Sequence, residues 1–313
     1  MKAIILKNTG GVENLTLAEI EEPKIAANEV LVEVKALGVN PVDFKVRQNE
    51  DVLNAIYGDQ RPAILGWDIA GDIVAKGDAV TKFEIGDRVF GMINFVGAGN
   101  AYAELVAAPA DHLAKIPEQT SYAEAAASTL AALTALQVLQ NKVKENDRVL
   151  IQGGSGGVGH FAIQIAKSLG AHVITTTSMK NKELVTGLGA DEHIDYQSQN
   201  FEEILTDIDF VFDVFNGEIL YNAVKVVKKG GTIVSIPSPD FSEEVQQLSK
   251  ERGVDVQFHM VESSGEDMNT IKDLLEKGVI KPHISKTFSF EEMPKAHEHL
   301  ESGRAVGKIV VTL

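Results

Sequence analysis

The sequence predicts an α/β protein, in which a doubly wound parallel sheet is inserted into a β domain built from both ends of the chain. Three observations predict it. After Asp147, strand and helix patterns alternate through six strands. The first strand of that series runs into a glycine-rich turn, Gly153–Gly159. The residues before about 118 read as short β-rich stretches, and the tail from about Ile280 returns to mixed character and ends in a strand. A length of 313 residues fits about two domains. The expected division is 1–118 completed by 280–313, with 119–279 between them.

In chain order, Lys2–Leu6, Glu29–Gly38, Asp68–Ala75, Arg88–Met92 and Ala101–Ala107 read as strands of a small barrel or sandwich, separated by Gly, Pro, Asn and Asp. Ser121–Leu139 is rich in Ala and Leu without breakers and predicts one helix. Val149–Gly153 is an apolar strand. Val158, Phe161, Ala162, Ile165 and Leu169 then fall on one helical face, with Gly170 as the C-cap. Strands follow at His172–Thr176, His193–Asp195, Phe210–Val214, Thr232–Ile236 and Val254–Val261. Helices are expected at Lys180–Leu188, Glu218–Lys228 and Ser242–Arg252. Lys308–Leu313 closes the chain as a strand.

Composition narrows the chemistry. The net charge is −16, from 29 basic and 45 acidic residues, which repels nucleic acid and anionic membranes. The chain contains no cysteine, so disulfides, thiolate catalysis and Cys-ligated metals are excluded. No secretory signal or membrane-spanning run is present, so the expected location is cytoplasmic.

The glycine turn sits where a phosphate site needs it, after an apolar strand and before a helix. Gly153, Gly156 and Gly159 give a tight turn, a close backbone approach and close helix–strand packing. The helix N-terminus then presents free N–H groups and positive potential to a pyrophosphate. NAD-binding proteins usually place an acidic residue about 20 residues on, to hold the ribose 2′-hydroxyl. Here Ile174–Lys182 contains no acid and carries hydroxyls and two lysines, which favours a 2′-phosphate and hence NADP(H).

Longer motifs extend the pattern: Gly38–Val39–Asn40–Pro41–Val42–Asp43–Phe44–Lys45, Gly66–Trp67–Asp68–Ile69–Ala70–Gly71, Gly86–Asp87–Arg88–Val89, Gly189–Ala190–Asp191 and Gly307–Lys308–Ile309–Val310–Val311. With the glycine turn, they make the chain resemble, over essentially its whole length, the zinc-independent quinone oxidoreductase (zeta-crystallin-like) branch of the medium-chain dehydrogenase/reductase superfamily. The resemblance implies a Rossmann-type doubly wound sheet plus a GroES-like β domain, and a homodimer with sheets paired edge to edge. Where zinc-dependent relatives carry a Cys and a His-Glu pair, the matching residues look like Asn40, Trp67 and Asp68, and no metal site is expected.

The implied activity is hydride transfer from NADPH to a small electron-poor acceptor, a quinone or an α,β-unsaturated carbonyl. The alternative is an NADPH-binding sensor or structural protein without turnover. Asn40, Asp43 and Lys45 are the implied catalytic residues. The lysine is a tyrosine in many quinone reductases and a lysine in members similar to plant enone reductases. Gly153, Ser155, Gly156, Gly157, Val158 and Gly159 are the expected pyrophosphate cradle. Ser178, Lys182 and Tyr196 are the expected 2′-phosphate or ribose contacts, with Lys180 or Asn181 open as replacements for Lys182. Asn216, Ser235, Ile236 and Phe258 follow later strand ends, where a dinucleotide crosses the sheet. Trp67 and Tyr57 are candidates to stack on a flat substrate or to fill the interdomain cleft, and Tyr102 is expected in the core.

Overall fold

A computed structural model describes residues 1–313. The N-terminal strands are β1 (Lys2–Leu6), β2 (Leu15–Glu19), β3 (Glu29–Val39), β4 (Ala63–Ile64), β5 (Asp68–Lys76), β6 (Arg88–Met92), β7 (Leu105–Pro109) and β8 (Ala114–Lys115). The central strands are β9 (Arg148–Gln152), β10 (His172–Thr177), β11 (Glu192–Asp195), β12 (Ile208–Asp213), β13 (Val227–Ser235) and β14 (Asp255–Phe258). The chain closes with β15 (Ile284–Ser289) and β16 (Lys308–Thr312). The helices are α1 (Pro41–Gln48), α2 (Glu50–Tyr57), α3 (Tyr122–Ala127), α4 (Leu130–Leu139), α5 (Gly159–Ser168), α6 (Lys182–Gly187), α7 (Phe201–Ile204), α8 (Gly217–Val226), α9 (Glu243–Arg252), α10 (Gly265–Glu276) and α11 (Met293–Glu301). Two compact units result: Met1–Leu133 with Val261–Leu313, and Thr134–Met260.

In the split unit a seven-stranded sheet runs β15-β16-β3-β5-β6-β8, with β7 also paired to β3, and a second sheet runs β2-β1-β4. β16 pairs antiparallel with β3, Ile309 opposite Val39, so the last residues of the chain complete a sheet begun near residue 29. The unit also takes in α3, packed on β3, β5 and β16, and α10, packed on β8. Both helices lie outside the 1–118 and 280–313 segments. They join this unit because it covers Ala125–Ala127 of one and Met268, Ile271 and Leu275 of the other.

The structure corrects several sequence expectations here. The stretch 41–57, to which the sequence patterns assign no element, forms α1 and α2. Its helix signals are local: Pro41 at the first turn, Asp43 near the N-terminus, Lys45 and Arg47 in the last turn, and an Asn49 cap on α2. The strand expected at 101–107 lies at Leu105–Pro109 instead, preceded only by an isolated bridge between Ala3 and Ala103. The single helix expected over 121–139 breaks at Ser128–Thr129. The hydroxyls of these residues donate to Glu124 O and Ala126 O, and Leu130 N donates to Asp68 Oδ1 at 3.0 Å. A buried carboxylate thus takes a backbone N–H that a continuous helix would have used.

The central unit is a six-stranded sheet ordered β11-β10-β9-β12-β13-β14, every neighbouring pair parallel. This is the doubly wound order 3-2-1-4-5-6, whose strand direction of growth reverses between β9 and β12. Leu150, Ile174, Val211 and Ile233 of the sheet pack with Leu220, Val224 and Val245 of α8 and α9. The amphipathic face expected on α5 widens to a helix buried continuously from Gly159 to Ala166. No helix is long and apolar enough to cross a membrane.

Candidate functional site

The chain turns sharply after β9. Gly153 adopts φ +63°, and a Cβ on Gly159 would lie 2.3 Å from Gly153 O, so helix and turn meet at a distance only glycine allows. Within the turn, Gly154 N donates to Thr176 O, Gly156 N to Gly153 O and His160 N to Gly156 O. The N–H groups of Ser155, Gly157, Val158 and Gly159 have no acceptor in the chain. Ser155, Gly157 and Val158 are partly open to solvent. Four N–H groups without an acceptor thus stand at the start of a ten-residue helix, at the switch point, the kind of arrangement that suits a phosphate group. The six residues expected there from sequence are brought together.

The next rim is built by β10 and β11, whose register sets Thr177 beside Asp195 and so Ser178 near Tyr196. Lys180, Lys182 and Tyr196 are exposed, while Ser178 is buried. Asn181 Nδ2 donates to Ser155 Oγ at 2.9 Å, tying this rim to the cradle. His193, absent from the sequence reading, stands here with Nε2 2.8 Å from Thr177 Oγ1. Burial lowers its pKa, and the Lys182 charge lowers it further.

Across the switch point, Asp213 organises the loop after β12. Its buried carboxylate accepts from Phe215 N at 3.2 Å, Asn216 N at 3.1 Å and Ser235 Oγ at 2.5 Å. Burial raises its pKa, against the opposing pull of these donors. Asn216, at φ +65°, then caps α8 through Gly217 N. Ser235 is fully buried and its hydroxyl donates to Asp213, which ties β13 to the loop. Ile236 and Phe258 are half-buried at the ends of β13 and β14. Phe215, also outside the sequence reading, is exposed, and its ring lies 3.1 Å from a Cβ built on Gly153. A carboxylate ending the apolar run Phe210–Phe212 is the signal that points to Asp213.

The split unit holds a second polar cluster, formed by the register of three strands. β5 sets Asp68 opposite Gly38, and β16 sets Lys308 next to Asn40. A Cβ at residue 38 would lie 2.8 Å from Asp68 Oδ2, so the glycine makes room for that carboxylate. Asn40 Nδ2 donates to Asp68 Oδ2 at 2.7 Å, Lys308 Nζ donates to Val39 O at 3.2 Å and to Asn40 Oδ1, and Lys308 Nζ lies 3.7 Å from Asp68 Oδ2. Asp43 Oδ2 accepts from Asn40 N at 2.6 Å, while its Oδ1 has no hydrogen-bond partner.

Burial pushes the Asp43 carboxyl up to about 7, overcoming the Asn40 N–H; Asp68 adds to the rise and Lys308 opposes it. Burial likewise raises Asp68 and lowers Lys308, each checked by the other's charge. Lys45, on the last turn of α1, is exposed and outside this network. Lys308 belongs to the motif quoted from the sequence, yet its side chain was not singled out. A lone charge heading the apolar Ile309–Val311 was its signal.

Trp67 and Tyr57 belong to the core and are not exposed stacking platforms. Trp67 is fully buried, donates from Nε1 to Gly97 O at 2.7 Å and meets Phe95 edge-on; the Tyr57 hydroxyl donates to Ile64 O at 2.7 Å. Tyr102 is buried as expected, 3.0 Å from His297 Nε2.

Known proteins share this organisation. Residues 26–118 match the alcohol dehydrogenase GroES-like domain, and residues 188–311 match the zinc-binding dehydrogenase family. The chain is 35% identical to 2-methylene-furan-3-one reductase of Solanum lycopersicum, over 99% of this chain and 79% of that protein. It is 32% identical to the NADPH-dependent alkenal/one oxidoreductase of Arabidopsis thaliana, a chloroplastic protein, with the same coverage. Among solved structures, the quinone oxidoreductase of Coxiella burnetii superposes with a TM-score of 0.93 at 34% identity, over 100% of this chain and 99% of that one. The Escherichia coli quinone oxidoreductase in complex with NADPH gives 0.88 at 26%, over the whole of both chains.

Proposed function

We propose that this chain, which belongs to the quinone oxidoreductase branch of the medium-chain dehydrogenase/reductase superfamily, is an NADPH-dependent reductase of quinones or α,β-unsaturated carbonyls. The observation that carries the reading is the cradle of four unpaired N–H groups at the switch point, beside the stretch Thr175–Lys182, which carries hydroxyls and two lysines and no acidic residue. Ser155, Gly157, Val158 and Gly159 hold the pyrophosphate. Ser178, Lys182 and Tyr196 meet the 2′-phosphate and ribose, and Asn216, held by Asp213, borders the far side.

NADPH bound there would supply a hydride to an electron-poor acceptor, whose oxygen would take up the negative charge before a proton from water completes the reduced product. The protein's part is to orient the acceptor and offer hydrogen-bond donors to the oxygen, the role assigned to Asn40 and Lys45, with Asp43 holding the turn that carries them.

We read the chemistry as independent of zinc. The Lys308 ammonium occupies the acceptors Asn40 Oδ1 and Val39 O beside Asp68, and an indole replaces a ligand at position 67. The same reading includes a cytoplasmic homodimer, paired through the exposed edge of β14 in the central sheet. Light scattering on the purified protein tests the dimer.

The decisive experiment follows NADPH and NADH oxidation in EDTA with a panel of benzoquinones, vinyl ketones and simple aldehydes. Turnover of the first two classes with NADPH is expected. Activity that appears only with added zinc and a simple alcohol overturns the reading.

A further inference from the structure

His193 stands on β11, the edge strand of the central sheet, in register with Thr175 of β10. Its ring does not stay opposite that residue. It reaches forward to Thr177, with Nε2 2.8 Å from Thr177 Oγ1, toward the strand end where the lysine-bearing stretch begins. The Thr177 hydroxyl lies 3.1 Å from Ser178 O, so ring, hydroxyl and the backbone of Ser178 form one chain of contacts. The ring is half-buried, and Lys182 on α6 is exposed. All of these residues lie in the unit Thr134–Met260.

The groups around the ring set its charge. Burial opposes a proton on it most, and Lys182 adds to that opposition. Asp195 of its own strand and the Thr177 and Ser178 carbonyls favour the proton without prevailing. The Asp195 carboxylate is also engaged elsewhere, accepting from Gln197 N at 3.2 Å and from Ser198 Oγ at 3.1 Å. The free protein therefore holds a neutral imidazole at neutral pH. A phosphomonoester is largely a dianion above about pH 6. Two negative charges beside the ring would outweigh the single charge of Lys182 and reverse the balance, since a nearby opposite charge favours the charged form.

We propose that His193 takes up a proton when the 2′-phosphate of NADPH docks at this rim, so that the imidazolium joins Lys182 as a second cationic partner and the preference for the phosphorylated cofactor strengthens as pH falls. The imidazole takes that proton from solvent, and no other bond changes. The proposal rests on the reading of Ser178 and Lys182 as contacts of the 2′-phosphate. The phosphate alone cannot mimic the effect. A neighbouring lysine lowers its second ionisation, so by itself it would release a proton on binding, whereas His193 gains one.

Isothermal titration calorimetry near pH 7, in buffers of different ionisation enthalpy, counts the protons exchanged. A net uptake is expected with NADPH and none with NADH. The Kd for NADPH should fall about 5-fold from pH 8.5 to pH 6.5, and that for NADH should stay constant. His193→Gln keeps an N–H donor for Thr177 Oγ1 and cannot gain charge. It should abolish the uptake and hold the Kd for NADPH at the wild-type high-pH value throughout, with the Kd for NADH within about twofold of wild type.

Proton release or no exchange by the wild-type protein overturns the proposal, as does an uptake that survives in His193→Gln. If that variant does not fold, as judged by thermal melting, nuclear magnetic resonance of the wild-type histidine rings carries the test. A ring whose midpoint rises by about one pH unit with NADPH and stays in place with NADH sustains the role, and the absence of any such ring refutes it. Tighter binding of NADPH than of NADH at pH 8.5 without proton uptake would overturn this proposal alone. No preference between the two cofactors at any pH would overturn it together with the cofactor reading beneath it.

Discussion

Single side chains decide which cofactor is held and at what pH the buried cluster is content. Lys182 is exposed and close enough to His193 for its charge to be felt there. Lys182→Ala should therefore raise the Kd for NADPH about 10-fold while leaving NADH binding unchanged, because only NADPH carries the 2′-phosphate. Fluorescence titration at two salt concentrations checks it, and equal weakening of both cofactors would assign the lysine elsewhere. Asp43 sets the pH behaviour. Its carboxyl ionises at about 7 in the fold, above its ordinary value near 3.8, so the folded chain binds a proton between those values that the unfolded chain has released. Stability then falls as pH rises through that window and levels off above it. Asp43→Asn keeps an acceptor for Asn40 N and removes the titration. The difference in Tm between wild type and variant should change from pH 5 to pH 7 and stay flat above pH 8. The sequence singled out Asp43 but not the direction of this shift, which comes from complete burial beside Asp68 and could not be read from spacing.

At the scale of elements, periodicity was readable and junctions were not. The central strands are apolar runs, the helices between them carry a 3.6-residue period and the glycine turn joins the first strand to the first helix, so their order was legible. α1 and α2 are short, polar and interrupted at Asn49, so no period announces them. The break between α3 and α4 depends on Asp68, 62 residues away from Leu130. The loop after β12 has the same character: Phe215 and Asn216 are held by the buried Asp213 carboxylate. Asp213→Asn replaces one acceptor oxygen with a donor facing Ser235 Oγ and two backbone N–H groups. A loss of roughly 1–3 kcal/mol is expected from the frustrated hydrogen bonds. Isothermal titration should show weaker NADPH binding with far-ultraviolet circular dichroism unchanged, since the strand pairings of β12 do not use that side chain. Unaltered affinity would mean that this loop does not border the cofactor.

Taken whole, the molecule is threaded so that one unit is continuous in sequence and the other is not. The cluster around Asn40 joins residues 268 positions apart, which is why Lys308 escaped a reading built on local pattern. The sheet of the split unit is incomplete until β16 has been made, because β3 pairs with it along Ala36–Val39 as well as with β5 and β7. The central unit needs nothing from either end for its sheet, and its core of Leu150, Val211, Leu220, Val224 and Ile233 is internal to 134–260. A fragment of that size has enough surface to bury for independent stability. Residues 134–260 expressed alone should therefore unfold cooperatively and bind NADPH through the cradle at 155–159, with no reductase activity. A chain ending at Val306, which lacks β16 and Lys308, should keep that NADPH-binding transition and lose the melting transition of the split unit. Differential scanning calorimetry with and without NADPH separates the two. A fragment 134–260 that stays unfolded even with saturating cofactor would show that the two units are a single cooperative body, and that the cradle depends on the strands that close the chain.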